Sequence, residues 1–180
     1  ATQNVSKYKI VDVNIQLFDT VGYNENIYSK EVIHHLMKGT LDLSGWNYKN
    51  RTLITCEGQS NEIHSIILVL SYLTVSEVDN LEEKFQDILE VANELEIPIH
   101  FVVTFCNQSL ELPRNSFLES QTNVYCVDLV ETEKIHVDAV FLHLLSRIQQ
   151  SVSEFHARKL NRKQNIKQNL KKKKKTRIRG

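Results

Sequence analysis

The alternation of hydrophobic and polar positions near the N-terminus predicts two strands followed by a helix. Ser6–Val11 and Val13–Phe18 are rich in β-branched residues, and the polar break between them predicts a tight turn and an antiparallel pair. Ser29 can cap a helix from about residue 30 to residue 38, whose inner face is apolar at three- and four-residue spacing. Gly39 is expected to end this helix.

The middle of the chain predicts parallel strands joined by a helix. His64–Ser71 and Ile99–Thr104 are nearly continuous apolar runs, which are typical of strands buried on both faces. Thr74 and Glu77 have the spacing of a capping box and predict one long helix that ends near Leu95. The order strand, helix, strand predicts a right-handed parallel crossover.

A second and weaker unit of the same kind follows. Leu110–Gln121 is expected to be a linker or a short helix, and Asn123–Val127 a strand. Apolar residues at helical spacing from Val137 to Phe155 predict the last helix. The whole pattern predicts an α/β fold with a doubly wound, mostly parallel sheet and helices on both faces. Leu41–Glu62 is polar and poorly periodic, which predicts a long surface insertion.

The formal net charge of zero hides a strong asymmetry along the 180 residues. Residues 151–180 carry twelve Lys and Arg against one Glu, whereas the other residues carry ten basic and twenty-one acidic side chains. Such a change of sign indicates a boundary between segments. We therefore expect an α/β domain over residues 1–157 and a basic tail over residues 158–180, helical at first and then disordered.

Composition narrows the class of protein. Hydrophobic residues make up 41% and charged residues 24%, as in ordinary globular domains. No apolar run is long enough to cross a bilayer, and no signal peptide is visible. The three cysteines are widely spaced and form no C-x-x-C, which favours a reducing compartment over a disulfide or zinc site. We expect the cytoplasm, or the nucleus, as the location.

One short motif points to chemistry. The apolar segment Ile15–Phe18 leads into Asp19-Thr20-Val21-Gly22, a D-x-x-G turn at the end of a strand. A carboxylate there can hold the hydration shell of Mg²⁺, and a glycine lets a backbone N–H approach a phosphate closely. The alternative is an ordinary turn, because turn geometry alone also favours Asp and Gly.

The D-T-x-G turn is followed by a helix closing as Leu36-Met37-Lys38-Gly39, a buried strand, a long helix and the segment Val102–Asn107. This succession resembles the later part of a P-loop GTPase domain, and most of all the interferon-induced protein 44 family. The resemblance implies a P-loop NTPase fold, a role in the immune response, and binding of GTP or GDP with Mg²⁺ by an intact member. It assigns the Mg²⁺-binding carboxylate, through water, to Asp19 and the γ-phosphate contact to Gly22, with Thr20 beside them.

The chain departs from that family where the phosphates would be wrapped. It contains no G-x-x-x-x-G-K-[ST] run. In the family this loop precedes the D-T-x-G turn, so we expect it upstream of Ala1, together with the first strand of the sheet. An incomplete GTPase-like domain of this kind would leave two apolar strand edges unpaired or paired with each other. We therefore expect no tight binding of nucleotide and no catalysis by this chain, and GTP hydrolysis only in an intact parent.

The resemblance also places a base-reading segment at Thr104, Phe105 and Asn107, where the usual [NT]-K-x-D becomes Thr104-Phe105-Cys106-Asn107. Phe105 could stack on a base, but Asn107 offers one acceptor and one donor where an Asp would accept twice, so guanine selectivity is impaired. Tyr23 stands where many GTPases have a glutamine that positions water, which argues against efficient hydrolysis.

The basic tail supports a hypothesis of a different class, a non-enzymatic interaction module. Five explanations of the tail remain open: a solvated segment, nuclear import machinery, RNA or phosphate, an anionic membrane, and contact with the acidic body. It lacks the interleaved aromatic residues that stack on bases. Its candidate contact residues are Arg158, Lys159, Arg162, Lys163, Lys171, Lys172, Lys173, Lys174, Lys175, Arg177 and Arg179.

Overall fold

The fold was analysed in a computed structural model of the chain, which combines helices with two small sheets in a mixed α/β arrangement. The structure describes residues 6–10, 15–20, 22–24, 27–42, 62–104, 114–127 and 134–177. In chain order the elements are β1 (Ser6–Ile10), β2 (Ile15–Asp19), α1 (Lys30–Met37), β3 (Ile66–Ser71), α2 (Tyr72–Glu77), α3 (Leu81–Lys84), α4 (Gln86–Leu95), β4 (Ile99–Thr104), α5 (Ser116–Glu119), β5 (Val124–Val127) and α6 (Lys134–Arg177).

The chain divides into two compact units. The first consists of Ala1–Ile63 with Phe85–Leu95, and the second of His64–Lys84 with Glu96–Gly180. The first therefore contains β1, β2, α1 and α4, and the second contains the other elements. Most of the predicted insertion Leu41–Glu62 lies outside the described residues.

In the first unit, the predicted antiparallel pair is confirmed. β1 pairs with β2 so that Ser6 lies opposite Asp19 and Ile10 opposite Ile15. The predicted start of α1 is confirmed as well, because the Ser29 Oγ accepts a hydrogen bond from the Val32 N–H at 3.4 Å.

The end of α1 also follows the prediction. Gly39 ends the helix with a φ of 68°, a left-handed conformation that glycine adopts without a steric penalty. α1 packs on α4, and an ion pair between Lys30 and Glu90 connects their exposed faces. Exposed pairs of this kind contribute little to stability, so the buried Ile33 and Met37 account for more of the packing of α1.

The second unit is built on a parallel sheet in the order β3-β4-β5, which confirms the predicted parallel strands. The central strand β4 is buried on both faces, as predicted. The same prediction is wrong for β3, where Val69 is 65% exposed although its neighbour Leu70 is only 5% exposed. An apolar run reports hydrophobicity but not how many layers cover a sheet, so it could not distinguish the two strands.

α6 packs on one face of this sheet. Leu144 and Ile148 of the helix form a buried cluster with Val102 of β4 and with Tyr125 and Val127 of β5. The three- and four-residue apolar spacing predicted this contact face of the helix. Beyond the cluster, α6 continues without interruption through residue 158 to Arg177.

The prediction of one helix from Thr74 to Leu95 is wrong, because the segment forms α2, α3 and α4 separately. The cap is Ser71 rather than Thr74: the Ser71 Oγ accepts from the Thr74 N–H at 3.0 Å, so α2 begins at Tyr72. α2 ends at Glu77. The backbone of the next residue, Val78, is extended, and a turn at Asp79 and Asn80 follows. Val78, Asp79 and Asn80 all have low helix propensity. The side chains of Asp and Asn in addition form hydrogen bonds with nearby backbone groups, which favours a turn over a helix.

Replacing the Ser71 cap should measurably weaken the second unit. We expect Ser71→Ala to lower the free energy of unfolding by about 1 kcal/mol, because the Thr74 N–H in the first turn of α2 loses its acceptor. The control is Ser76→Ala in the same helix, whose Oγ only donates back to the Tyr72 carbonyl at 2.8 Å and should be worth less than about 0.5 kcal/mol. Urea unfolding followed by circular dichroism measures both, and equal losses would contradict the capping role of Ser71.

Candidate functional site

The D-x-x-G turn lies at the end of β2, in the first unit. Asp19 is the last residue of the strand and its side chain is exposed, while Thr20 is half-buried. A Cβ added at Gly22 would meet nothing within 4 Å. Packing among the described residues therefore does not require a glycine at this position, and Gly22 is exposed. Val21 lies outside the described residues.

Tyr28 is a neighbour of this turn that the sequence did not reveal. Its ring is buried, and burial raises the pKa of the phenol. A hydrogen bond with the Thr20 side chain acts in the opposite direction and lowers this pKa, whereas the charge of Asp19 raises it. The phenol thus interacts with the hydroxyl of Thr20 and is influenced by the charge of Asp19. Tyr28 directly precedes the Ser29 cap, a position from which an apolar residue often packs on the first turn of the helix. This position could have predicted that Tyr28 is buried next to the turn.

Tyr23 belongs to an aromatic cluster next to the turn. Its ring is stacked on that of Tyr28, with centroids 6.1 Å apart and planes 19° apart. Its ring centroid is also 5.4 Å from that of Phe85, which lies in the same unit. The residue after Gly22 is therefore part of an aromatic cluster with Tyr28 and Phe85.

The predicted base-reading residues belong to the second unit as far as the structure describes them. Thr104 ends β4 and is buried, and its Oγ1 donates a hydrogen bond to the Leu70 carbonyl at 3.2 Å. This bond joins β4 to β3 and occupies the hydroxyl. Phe105 and Asn107 lie outside the described residues.

The same edge of the parallel sheet carries a second polar group. Ser71 lies opposite Thr104 in the register of β3 and β4, at the carboxyl ends of the strands, where α/β proteins commonly bind ligands. The Ser71 Oγ is already used as the cap of α2 and also lies 2.8 Å from the Thr74 Oγ1. Both hydroxyls at this edge therefore have structural partners.

The residues of the basic tail lie on α6. Arg158, Lys163 and Arg162 are exposed, and Lys159 is half-buried, with its Nζ 5.6 Å from the centroid of the Phe155 ring. Arg162 forms an ion pair with Glu96. The helical backbone extends over Lys171, Lys172, Lys173, Lys174, Lys175 and Arg177, whereas Arg179 lies outside the described residues.

Three further results concern metal binding, membrane-spanning helices and known relatives. Within the described ranges, no group of three or more His, Cys, Asp or Glu side chains is arranged to hold a metal ion. In the same part of the chain, no helix has both the length and the apolar character needed to cross a membrane. Searches against protein-family models, curated proteins and solved structures found no match to this chain.

Proposed function

We propose that this chain is a GTPase-like α/β domain related to the interferon-induced protein 44 family, and that its D-x-x-G turn contacts Mg²⁺ and a nucleotide phosphate. The observation that carries the proposal is the turn after β2. Its Asp19 carboxylate is exposed at the strand end, and Gly22 lies in open space that packing does not explain. An exposed carboxylate suits the water shell of Mg²⁺, and a glycine with open space at its Cβ position leaves room for a phosphate beside the backbone.

The order of the elements supports the proposal. An antiparallel pair that ends in the D-x-x-G turn is followed by three parallel strands in chain order, with helices between them. This is the succession of a GTPase domain after its phosphate-binding loop, and it fits a doubly wound sheet. Among the described residues, β2 pairs only with β1, and β3 pairs only with β4. A GTPase-like domain that lacks its first strand is expected to leave one free edge on each of these two strands, and the observed pairing agrees with that expectation.

The same residues support a domain that does not hydrolyse GTP by itself. The sequence contains no G-x-x-x-x-G-K-[ST] loop, so the anion-wrapping N–H groups and the phosphate-binding lysine are missing. Tyr23 packs against Tyr28 and Phe85 in place of a water-positioning glutamine. Asp19 would hold Mg²⁺ through water when nucleotide is present, because a single carboxylate cannot complete a coordination shell.

A titration of the labelled chain with Mg²⁺-GTP, followed by two-dimensional NMR, tests the proposal. We expect weak binding, with a dissociation constant on the order of 1 mM or above, and amide shifts concentrated at Asp19, Thr20 and Gly22. Asp19→Asn should abolish these shifts. Asp79 is an exposed aspartate in another turn, and Asp79→Asn should leave the shifts intact. Shifts spread evenly over the chain would refute the GTPase-like site, and micromolar binding with turnover would refute the proposed incompetence.

A non-enzymatic interaction module is a second candidate function. One observation favours it: α6 carries the basic tail on a continuous helix whose described side chains beyond Lys159 are all exposed.

A further inference from the structure

The last part of α6 is a long exposed helix with basic side chains. The helix has 44 residues, which corresponds to about 66 Å at 1.5 Å per residue. Leu144, Ile148 and Phe155 are its buried anchors. From Leu160 to Asn169 every side chain is exposed. These residues contribute almost nothing to a core, so their composition needs another physical reason.

Between residues 158 and 169, the charged residues lie on one side of the helix. Five basic residues follow two rows at four-residue spacing, and at 3.6 residues per turn they fall within an arc of about 180°. We call them the basic face: Arg158, Lys159, Arg162, Lys163 and Lys167. Four amides fall within the opposite half of the helix, and we call them the amide face: Asn161, Gln164, Asn165 and Gln168.

Two members of the basic face have partners within the second unit. Lys159 lies over the ring of Phe155, which is on the same helix, and Arg162 pairs with Glu96, which directly follows α4. The ion pair of Arg162 joins the helix to another segment of that unit. Arg158, Lys163 and Lys167 remain exposed on the same side, and the Arg162 side chain is still 67% exposed within its ion pair. The helix therefore presents a row of exposed cations.

The composition of the helix distinguishes between two polyanions. A helix that lies on a membrane needs a broad apolar face opposite its charges. Here that half carries amides, and the exposed apolar residues Leu160 and Ile166 lie about 120° apart around the axis. Phosphate groups of a nucleic acid require only cations at regular spacing, and side-chain amides are suited to hydrogen bonds with sugars and base edges.

We infer that α6 binds nucleic acid, with the basic face on the phosphate backbone. The α-helical backbone continues through Lys171–Lys175 to Arg177, so further basic positions follow the basic face on the same helix. Because binding of this kind releases counterions, it should be strong at low salt, weaken steeply as salt rises, and show little sequence preference. The inference does not depend on the GTPase-like assignment, since it uses no residue of the D-x-x-G turn.

A variant of unchanged composition tests this inference. In Lys163→Gln/Gln164→Lys/Lys167→Gln/Gln168→Lys, two charges move from the basic face to the amide face while the net charge stays the same. Fluorescence anisotropy with short DNA and RNA duplexes and a single strand should show an affinity about three- to tenfold lower. The slope of log affinity against log salt, measured between about 50 and 200 mM, should become shallower by about 2.

The matched control removes two charges elsewhere. Lys38→Gln/Lys84→Gln changes exposed lysines outside α6 and should leave affinity and salt slope nearly unchanged. Helicity of every variant is checked by circular dichroism, and each is also tested on vesicles that contain phosphatidylserine. If the rearranged variant bound as tightly as the natural chain, the basic face would not be the binding surface. The same conclusion would follow if the control variant lost as much affinity as the rearranged variant. Binding of the natural chain to vesicles but to none of the nucleic acids would overturn the assignment of the partner.

Discussion

Phe101→Ala should lower the free energy of unfolding of the sheet unit by about 3–5 kcal/mol. Phe101 lies on the central strand β4, is only 1% exposed, and packs edge-to-face on Phe117 with ring centroids 5.6 Å apart. Truncation removes most of a buried aromatic side chain and leaves a cavity beside the central strand, which is paired on both sides and cannot easily move to close it. Urea unfolding monitored by circular dichroism measures the loss.

A large apolar side chain on the surface provides the control. Leu73→Ala in α2 removes a residue that is 66% exposed and should cost less than about 0.5 kcal/mol. Phe101→Leu should be intermediate, because it keeps apolar volume but loses the ring contact. A loss below about 1 kcal/mol for Phe101→Ala would mean that β4 is not the centre of a packed sheet.

His100→Leu should raise the free energy of unfolding at neutral pH by about 1–3 kcal/mol, and by more at acidic pH. The His100 side chain is 0% exposed, and neither ring nitrogen has a hydrogen-bond partner among the described residues. A buried polar group without a partner is destabilising, and a leucine of similar volume has no such group.

The pH dependence follows from the same burial. Burial lowers the pKa of His100 in the folded chain, and the positive charge of Arg147 on α6 lowers it further. The centroid of the Tyr125 ring lies 6.0 Å from that of His100, and the centroid of the His143 ring lies 5.8 Å from that of Tyr125. In the unfolded chain histidine titrates near pH 6.5, so below that pH the unfolded state binds more protons than the folded state. Stability is therefore full above about pH 6.5 and falls as the pH decreases toward the lowered pKa.

Urea unfolding at several pH values between neutrality and mild acid measures this effect. The natural chain should lose stability as the pH falls, and His100→Leu should lose distinctly less over the same interval. His143→Gln is the control: it removes an exposed histidine beside the same tyrosine and should keep the acid dependence of the natural chain. If His100→Leu and the natural chain showed parallel curves, another group would be responsible for the acid sensitivity.

The candidate site was predicted in part. The D-x-x-G turn is a local motif, and the structure places Asp19 at the end of β2 as the apolar segment before it indicated. The companions Tyr28 and Phe85 were missed, because they approach the turn through folding rather than through sequence spacing. The hydrogen bond of Thr104 to Leu70 was missed for the same reason, since it joins residues on different strands.

The sequence by itself determined the features that depend on neighbouring residues: the antiparallel pair β1 and β2, the Ser29 and Gly39 ends of α1, the parallel strands, and the contact face of α6. Turn chemistry, caps and periodicity act over a few residues, so they can be read from the chain directly. Only the tertiary structure decided that Val69 is exposed, and that His100 is buried with no hydrogen-bond partner for its ring nitrogens among the described residues. Each of these depends on which distant segment covers a side chain, and burial of that kind can outweigh local propensity.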